Sequence, residues 1–153
     1  MTLDTMTLDD MVETFEFIQD WEERYRILID LGRKLPEFPE EQRTESNRVE
    51  GCTSNVWLIC YRDKNDPRRL IFVADSDAFI VKGLIALVLM AYSGRTPEEI
   101  QATDISDLFA RLGLEQNLSP NRRDGFYAMV ARIHALAAGA GQNDLSQVGQ
   151  TAK

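Results

Sequence analysis

"NVWLICYRDKNDPRRLIFVADSDAFIVKGLIALVLMAY", residues 55 to 92, decides the fold of this chain. Two runs rich in β-branched and aromatic residues, 55–62 and 69–75, flank the turn-like "DKNDPR", and this pattern is typical of a β-hairpin. The apolar run after them contains Lys82 and is shorter than the ~20 residues that a helix needs to cross a bilayer. The stretch therefore predicts an antiparallel hairpin followed by a core helix over 78–92.

Helix-start signals place further helices on both sides of this hairpin. "DWEE" at Asp20 and "TPEE" at Thr96 have the capping-box pattern, and "SPNR" at Ser119 opens a helix in the same way. Ser76 or Asp77 is positioned to cap the core helix. The predicted helices are 7–18, 21–34, 78–92, 97–102, 105–112 and 120–138. This arrangement predicts an α+β domain in which helices cover a small antiparallel sheet.

Three less regular segments complete the predicted map. Residues 47–51 are predicted as a third short strand, which would make the sheet three-stranded. Residues 34–47 hold two prolines and many charges, so they are predicted to form a long surface loop, and loops of this length are often functional. Residues 139–153 lack the apolar side chains needed to pack, which predicts a disordered tail after a single domain over 1–138.

Charge and composition limit the classes of function. The chain of 153 residues carries a net charge of −8, and residues 1–50 hold 14 acids and 6 bases. This acidic field opposes phosphate binding and argues against a nucleic-acid partner, whereas a basic protein surface could dock there. The alternative is that these carboxylates only solvate exposed helix faces. The acidic start of the chain is neither a secretory signal nor a transit peptide, so a cytoplasmic protein with no membrane partner is expected.

The two cysteines of a cytosolic chain cannot form a disulfide framework, so each has to be judged alone. Cys60 lies within the first predicted strand, where period-two alternation puts it on one face with Val56 and Leu58. Free cysteine is among the most buried residue types, and Cys60 is therefore predicted to be a core residue.

Cys52 has a different setting, in "RVEGCTSNVWL" (48–58). It follows Gly51 and precedes the small polar residues Thr53 and Ser54, and neither a helical nor a strand period includes it. A cysteine at a loop tip is accessible to a second macromolecule, and its thiolate is the reactive form. These residues alone leave open whether Cys52 is reactive or structural.

Counting potential ligands narrows the chemistry that Cys52 could perform. A structural zinc or iron–sulfur site generally wants four Cys or His ligands, but this chain has two cysteines, His134 and no CxxC motif. A cysteine hydrolase needs an imidazole within hydrogen-bond reach, but "FYAMVARIHAL" puts His134 at the edge of the core face of the last predicted helix. Thiol exchange remains, since it needs a thiolate and access but no obligatory general base.

Several motifs of the chain resemble those of one known family, the SufE sulfur-acceptor proteins. "RVEGCTSNVWL" is similar to the G-C-x-S-x-V-W core of that family, and "DSDAFIVKGLIALVL" (75–89) to its D-S-D-x-x-I-V-K-G-L run. Further matches are "WEERYRILIDLGRKLP" (21–36), "RTPEEI" (95–100) and "LSPNRRDGFYAM" (118–129). The likeness runs in the same order from about Phe15 to Ala138.

The resemblance implies an α+β fold similar to that of the scaffold protein IscU, and a role in sulfur transfer. Cys52 would take persulfide sulfur from a pyridoxal-phosphate-dependent cysteine desulfurase of the SufS or CsdA type, stimulate its turnover and relay the sulfur to a SufBCD-type iron–sulfur assembly scaffold. The chain would be no stand-alone enzyme and would bind no cofactor, because the pyridoxal phosphate belongs to the partner. Two alternatives stay open: a desulfurase regulator that carries no sulfur, and an IscU-like scaffold, against which the ligand count argues.

The sequence also suggests residues that would support Cys52 in this role. Gly51 would give its loop flexibility, and the 34–47 loop behind it is a candidate hinge element. Arg122 matches a recurring family arginine and would favour the Cys52 thiolate if the fold brings the two together, whereas Glu50 would oppose it.

Two aspartates at the head of the core helix, Asp75 and Asp77, are candidates for contacts behind the cysteine or for control of its loop. Each of these residues has a plainer interpretation, in which Arg122 is a surface cation and the aspartates only cap a helix. Trp57 and Lys82 are predicted to be structural.

Overall fold

The computed structural model describes residues 8–51 and 54–140, so Cys52, Thr53 and residues 141–153 of the predicted tail lie outside the described residues. Gly139 and Ala140, the first two residues of that predicted tail, belong instead to the last helix. The helices are α1 (Leu8–Phe17), α2 (Trp21–Gly32), α3 (Phe79–Tyr92), α4 (Pro97–Ala102), α5 (Ile105–Arg111), α6 (Leu114–Asn117) and α7 (Pro120–Ala140). The strands are β1 (Val56–Arg62) and β2 (Leu70–Ser76), and two short 3-10 turns, Glu40–Gln42 and Glu45–Asn47, precede them. These elements confirm the α+β class predicted from the sequence.

The predicted hairpin is confirmed, and β1 and β2 pair antiparallel along their whole length. Val56, Leu58 and Cys60 point to one face of the sheet and join the main core with the helices, as the alternation predicted. On the opposite face Ile59 packs against Phe38, which belongs to the segment before the hairpin. Helices therefore cover one face of the hairpin, and the chain that leads into β1 covers part of the other.

The predicted third strand is not confirmed, because the sheet formed by the described residues has two strands. Arg48 makes only an isolated antiparallel bridge with Trp57. The 3-10 turn Glu45–Asn47 ends immediately before Arg48, and Gly51 leaves the extended region with φ +93°. Too few extended residues lie between these two points to form a strand.

The helix α3 lies at the centre of the core and is buried on nearly every side. A Cβ added at Gly83 would lie 2.3 Å from the Leu28 carbonyl oxygen, and one at Gly32 would lie 2.7 Å from the Gly83 nitrogen. The helices α2 and α3 therefore pack backbone against backbone, which only glycine permits at these positions. Within the described ranges, none of the helices combines the length and apolar character that a membrane span requires.

Two of the predicted helix caps are confirmed and one is wrong. Thr96 forms a full capping box with the glutamate three residues on, with hydrogen bonds of 3.2 and 3.0 Å. Ser119 Oγ accepts the N–H of Arg122 at 3.3 Å and so caps the start of α7. Asp20 stands at the N-cap of α2, but its side chain makes no cap hydrogen bond; only its backbone carbonyl takes part, by accepting from Arg24 N–H at 3.0 Å.

The start of α3 also differs from the prediction. Ala78 occupies the N-cap position without a side-chain hydrogen bond, while Ser76 Oγ accepts the N–H of Ala78 at 3.2 Å. Asp77 does not cap the helix because its carboxylate is used by Asn55 on the neighbouring loop. Elsewhere, α6 was not predicted, and α7 runs past its predicted end to Ala140.

Candidate functional site

The described residues on either side of Cys52 belong to a closed loop, 50–55. Val49 N–H donates to the Val56 carbonyl oxygen at 2.8 Å, and the two valines are buried, at 1% and 0% exposure. We call this buried pair the neck of the loop. A buried backbone hydrogen bond is costly to break, so the neck fixes the positions of the two residues that flank the loop, Val49 and Val56.

Gly51 makes the turn that begins the loop, and it lies against α7. Its φ of +93° is in the region that side chains rarely adopt, and an added Cβ would lie 3.3 Å from Ala128 Cβ. Both the turn and the close approach to the helix therefore favour glycine at this position. The loop flexibility that the sequence suggested for Gly51 stays a prediction.

The far end of the loop is held by Asp77, one of the two aspartates singled out in the sequence. Its carboxylate accepts two hydrogen bonds from Asn55, from the backbone N–H at 3.2 Å and from Nδ2 at 2.9 Å. Asp77 N–H returns a longer bond of 3.4 Å to the Asn55 carbonyl oxygen. The structure thus brings Asp77 to the loop as a contact that positions its last residue.

Asp75 faces a different set of partners, although it is only two residues away. Its carboxylate accepts from Arg43 Nη2 at 2.7 Å and from Ser76 N–H at 2.8 Å, and Lys82 Nζ lies 3.5 Å from it. The hydrogen bond to Asp75 is the main reason that the pKa of Arg43 is raised above its ordinary value. Asp75 therefore anchors the segment before the loop through Arg43. Asn55 is bound by Asp77 and not by Asp75.

Arg43 joins this segment to the outer face of the hairpin. Its guanidinium lies over the rings of Phe38 and Trp57, at 5.4 and 5.1 Å from their centroids, in addition to its pair with Asp75. Phe38 is only 4% exposed. The predicted surface loop 34–47 is therefore partly buried and is held against the hairpin. Nothing in its sequence spacing indicated that Arg43 would make the contacts that hold it there.

A cavity of about 370 Å³ lies beside the loop. Apolar side chains from β1, α3 and α7 line it, namely Val56, Val81, Leu84, Phe126 and Met129. Its polar lining comes from Ser54, Ser119, Asn121 and Arg122. Ser54 therefore brings the described end of the loop to this cavity, while Glu50, Gly51 and Asn55 are exposed.

The structure brings Arg122 to the same cavity as the loop residue Ser54. Its side chain is exposed, and it makes no ion pair with the residues that the structure describes. A guanidinium at the mouth of a largely apolar cavity favours an anion there. The sequence found Arg122 through its family motif, whereas it gave no sign of the cavity.

The second cysteine and the histidine have settled structural roles. Cys60 is 0% exposed, and burial raises the pKa of its thiol to about 12. The His134 ring lies 3.1 Å, through Nε2, from the Tyr92 hydroxyl and 3.0 Å, through Nδ1, from Gln101 Oε1. Both ring nitrogens of His134 thus have partners on α3 and α4, which agrees with the edge position predicted for it.

Comparisons with known proteins concern the chain as a whole. The model of the SufE family, described as an Fe-S metabolism associated domain, matches residues 9–137. An uncharacterized SufE-like protein of Rhizobium etli is 48% identical over 133 residues, which cover 86% of this chain and 89% of that protein. Another uncharacterized SufE-like protein, from Rhizobium meliloti, is 44% identical over 135 residues, 87% of this chain and 96% of that protein.

One solved structure extends the comparison to the fold. The solution structure of a hypothetical protein from Thermus thermophilus superposes with a TM-score of 0.71 at 22% identity, covering 90% of this chain and 100% of that one. At this identity the likeness concerns the fold alone. The match of the family model and the identity to the two rhizobial relatives carry the assignment: the chain belongs to the SufE family.

Proposed function

We propose that this chain is a sulfur acceptor that takes persulfide sulfur onto Cys52 from a pyridoxal-phosphate-dependent cysteine desulfurase of the SufS or CsdA type. It then relays the sulfur to iron–sulfur cluster assembly, on a scaffold of the SufBCD type. In this role it works in the cytoplasm, raises desulfurase turnover by removing the product sulfur, and carries no cofactor of its own. Membership of a family associated with Fe-S metabolism supports this role.

The surroundings of Cys60 carry the proposal. The chain has two cysteines, and Cys60 is sealed in the core with a thiol pKa of about 12, so it offers neither access nor thiolate at neutral pH. Any sulfur exchange on this chain therefore has to use Cys52. The exposed residues of its loop, Glu50, Gly51 and Asn55, are accessible to a protein partner.

The transfer is a single exchange step. The Cys52 thiolate attacks the outer sulfur of the persulfide on the desulfurase cysteine, and a new S–S bond forms as the old one breaks. The bonding electron pair leaves on the inner sulfur of the desulfurase cysteine, which becomes a thiolate. The sulfur changes carrier without net oxidation, so no further reactant is needed.

Arg122 and the neighbouring cavity have separate roles in this proposal. The guanidinium favours the anionic form of the attacking thiol and of the persulfide that results. If the loop turns the Cys52 persulfide towards the cavity, the apolar lining would limit the access of reductants and oxidants, which both attack a persulfide readily. Asp77 holds the end of the loop through Asn55, and Asp75 fixes the segment before it through Arg43.

The decisive experiment measures the intact mass of the protein after incubation with a cysteine desulfurase and free cysteine. We expect the wild type and Cys60→Ala to gain one sulfur, and Cys52→Ser to gain none. An equal gain on Cys52→Ser would mean that Cys52 is not the acceptor. No gain on any variant, with desulfurase turnover unchanged, would refute the sulfur-acceptor role.

The alternatives predict different results in two further measurements, desulfurase turnover and reconstitution with iron. A regulator that carries no sulfur predicts that Cys52→Ser still stimulates the desulfurase. An iron–sulfur scaffold predicts bound iron and visible absorption after reconstitution with iron and sulfide. The sulfur-acceptor role predicts that stimulation is lost with Cys52 and that the reconstituted protein stays colourless.

A further inference from the structure

Arg132, on α7, contacts the chain that leads into the Cys52 loop. Its Nη2 donates to the Ser46 carbonyl oxygen at 2.9 Å, and its Nη1 to the Arg48 carbonyl oxygen at a weaker 3.4 Å. Arg132 lies one helical turn after Ala128, the residue that Gly51 approaches. One face of α7 therefore supports the entering chain at two points.

The two carbonyl groups give Arg132 its partners. Among the described residues no carboxylate lies within ion-pair distance of it, and both of its recorded hydrogen bonds go to backbone oxygens. These oxygens belong to Ser46, within the 3-10 turn Glu45–Asn47, and to Arg48, the residue after the turn, where carbonyl groups lack helical partners. A forked guanidinium can donate to two such acceptors at once. Because both acceptors are backbone oxygens, this contact does not depend on the side chains of the segment.

We infer that Arg132 is a positioning residue for the Cys52 loop, acting through the backbone of residues 46–48. These residues lead directly into the neck, since Val49 N–H makes the bond that closes the loop. Arg132 thus holds the chain that enters the loop, and Asp77 holds the last loop residue, Asn55. An effect of Arg132 on sulfur transfer rests on the proposed function. The restraint of the loop by Arg132 does not.

The test measures loop restraint without any partner protein. Arg132→Ala is compared with wild type and with Arg111→Ala, which removes an exposed arginine at the end of α5. The readouts are the rate of Cys52 alkylation by iodoacetamide, assigned by peptide mass, and the exchange rate of the Val49 amide proton, assigned by NMR. In Arg132→Ala we expect faster alkylation and about tenfold faster Val49 exchange, because loss of a charge-assisted hydrogen bond loosens the neck.

Internal controls separate a local effect from general destabilisation. The Phe72 amide, which donates to Ser93 Oγ at 3.0 Å within the core, should exchange at the wild-type rate. Arg132→Lys keeps the positive charge but loses the forked guanidinium. Its alkylation and Val49 exchange rates should therefore lie between those of wild type and Arg132→Ala. It replaces the alanine variant in the test if that variant does not fold. Unchanged alkylation and Val49 exchange in both variants, or an equal acceleration at Phe72, would overturn the inference.

Sulfur uptake from the desulfurase, measured on the same variants, separates this inference from the proposed function. A positioning role predicts a higher desulfurase concentration for half-maximal uptake in Arg132→Ala, with partial rescue by lysine. If alkylation and exchange change as expected while wild type takes up no sulfur, the positioning role stands and the sulfur-acceptor role fails.

Discussion

At the scale of single residues, burial determines the state of the Cys60 thiol. Cys60, on β1, points into the core formed with the helices, and burial is the main reason that its pKa is raised from 9.0 to about 12. Alternation along β1 predicted this position from the sequence, because a period of two is a local property of a strand. The partners of Arg43 and Arg132 were not predictable, since both arginines contact residues distant in the chain.

Cys60 should make the stability of the protein depend on alkaline pH. In the unfolded chain the thiol ionises near pH 9, whereas in the folded protein it stays neutral until about pH 12. Folded protein therefore binds more protons than unfolded protein in this window, and the free energy of unfolding should fall as pH rises through it. Urea unfolding between pH 8 and 11 should show a steeper fall for wild type than for Cys60→Ala.

Tyr92 provides the internal control for this measurement. Burial raises its pKa from 10.0 to about 12, so its contribution has the same sign and remains in Cys60→Ala. The variant should still lose stability above pH 10, but not between pH 9 and 10. Identical pH profiles for the two proteins would contradict the burial of the Cys60 thiol.

At the scale of elements, the contact between α2 and α3 determines the shape of the core. Both helices were predicted from their capping and apolar patterns, which act within one segment. The approach of Gly32 to Gly83 joins two segments, so no pattern within either one indicated it. The third strand was predicted wrongly for a different reason. The 3-10 turn and the turn at Gly51 interrupt a run that has a strand-like composition.

Replacing Gly83 by alanine should test the close packing of these helices. The new methyl group would lie within van der Waals overlap of the Leu28 carbonyl oxygen, so the helices have to separate. Overpacking of this kind costs about 1–3 kcal/mol of unfolding free energy, measured by urea denaturation.

Gly139→Ala offers a matched control on α7. Nothing lies within 4 Å of a Cβ at this position, and a glycine in a helix is less stable than alanine. This variant should be neutral or more stable by up to about 1 kcal/mol. A Gly83→Ala protein as stable as wild type would contradict the backbone contact.

At the scale of the whole molecule, charge is distributed unevenly along the chain. The first 50 residues hold 14 acids and 6 bases, and α1 has acids in its first turn and no base in its last. Glu13 and Glu16 are exposed on this helix. A field of one sign speeds association with an oppositely charged surface and weakens as salt screens it.

Sulfur uptake from the desulfurase should therefore slow as salt rises from about 0.05 to about 0.5 M. If α1 contributes to this attraction, Glu13→Lys with Glu16→Lys should slow uptake at low salt and flatten the salt dependence. Glu98→Lys, on α4 in the part of the chain where charges balance, is the control and should change uptake less. Salt-independent uptake would mean that the carboxylates of α1 only solvate an exposed face.

The neck also limits the distance over which the loop can act. An extended chain spans about 3.5 Å per residue, so a loop that starts at Val49 and returns at Val56 extends at most about 12 Å from that pair. In the proposed sulfur transfer, the partner has to bring its donor sulfur within about this distance of the neck. A donor sulfur held deeper than this below the partner surface would be out of reach while the neck stays closed.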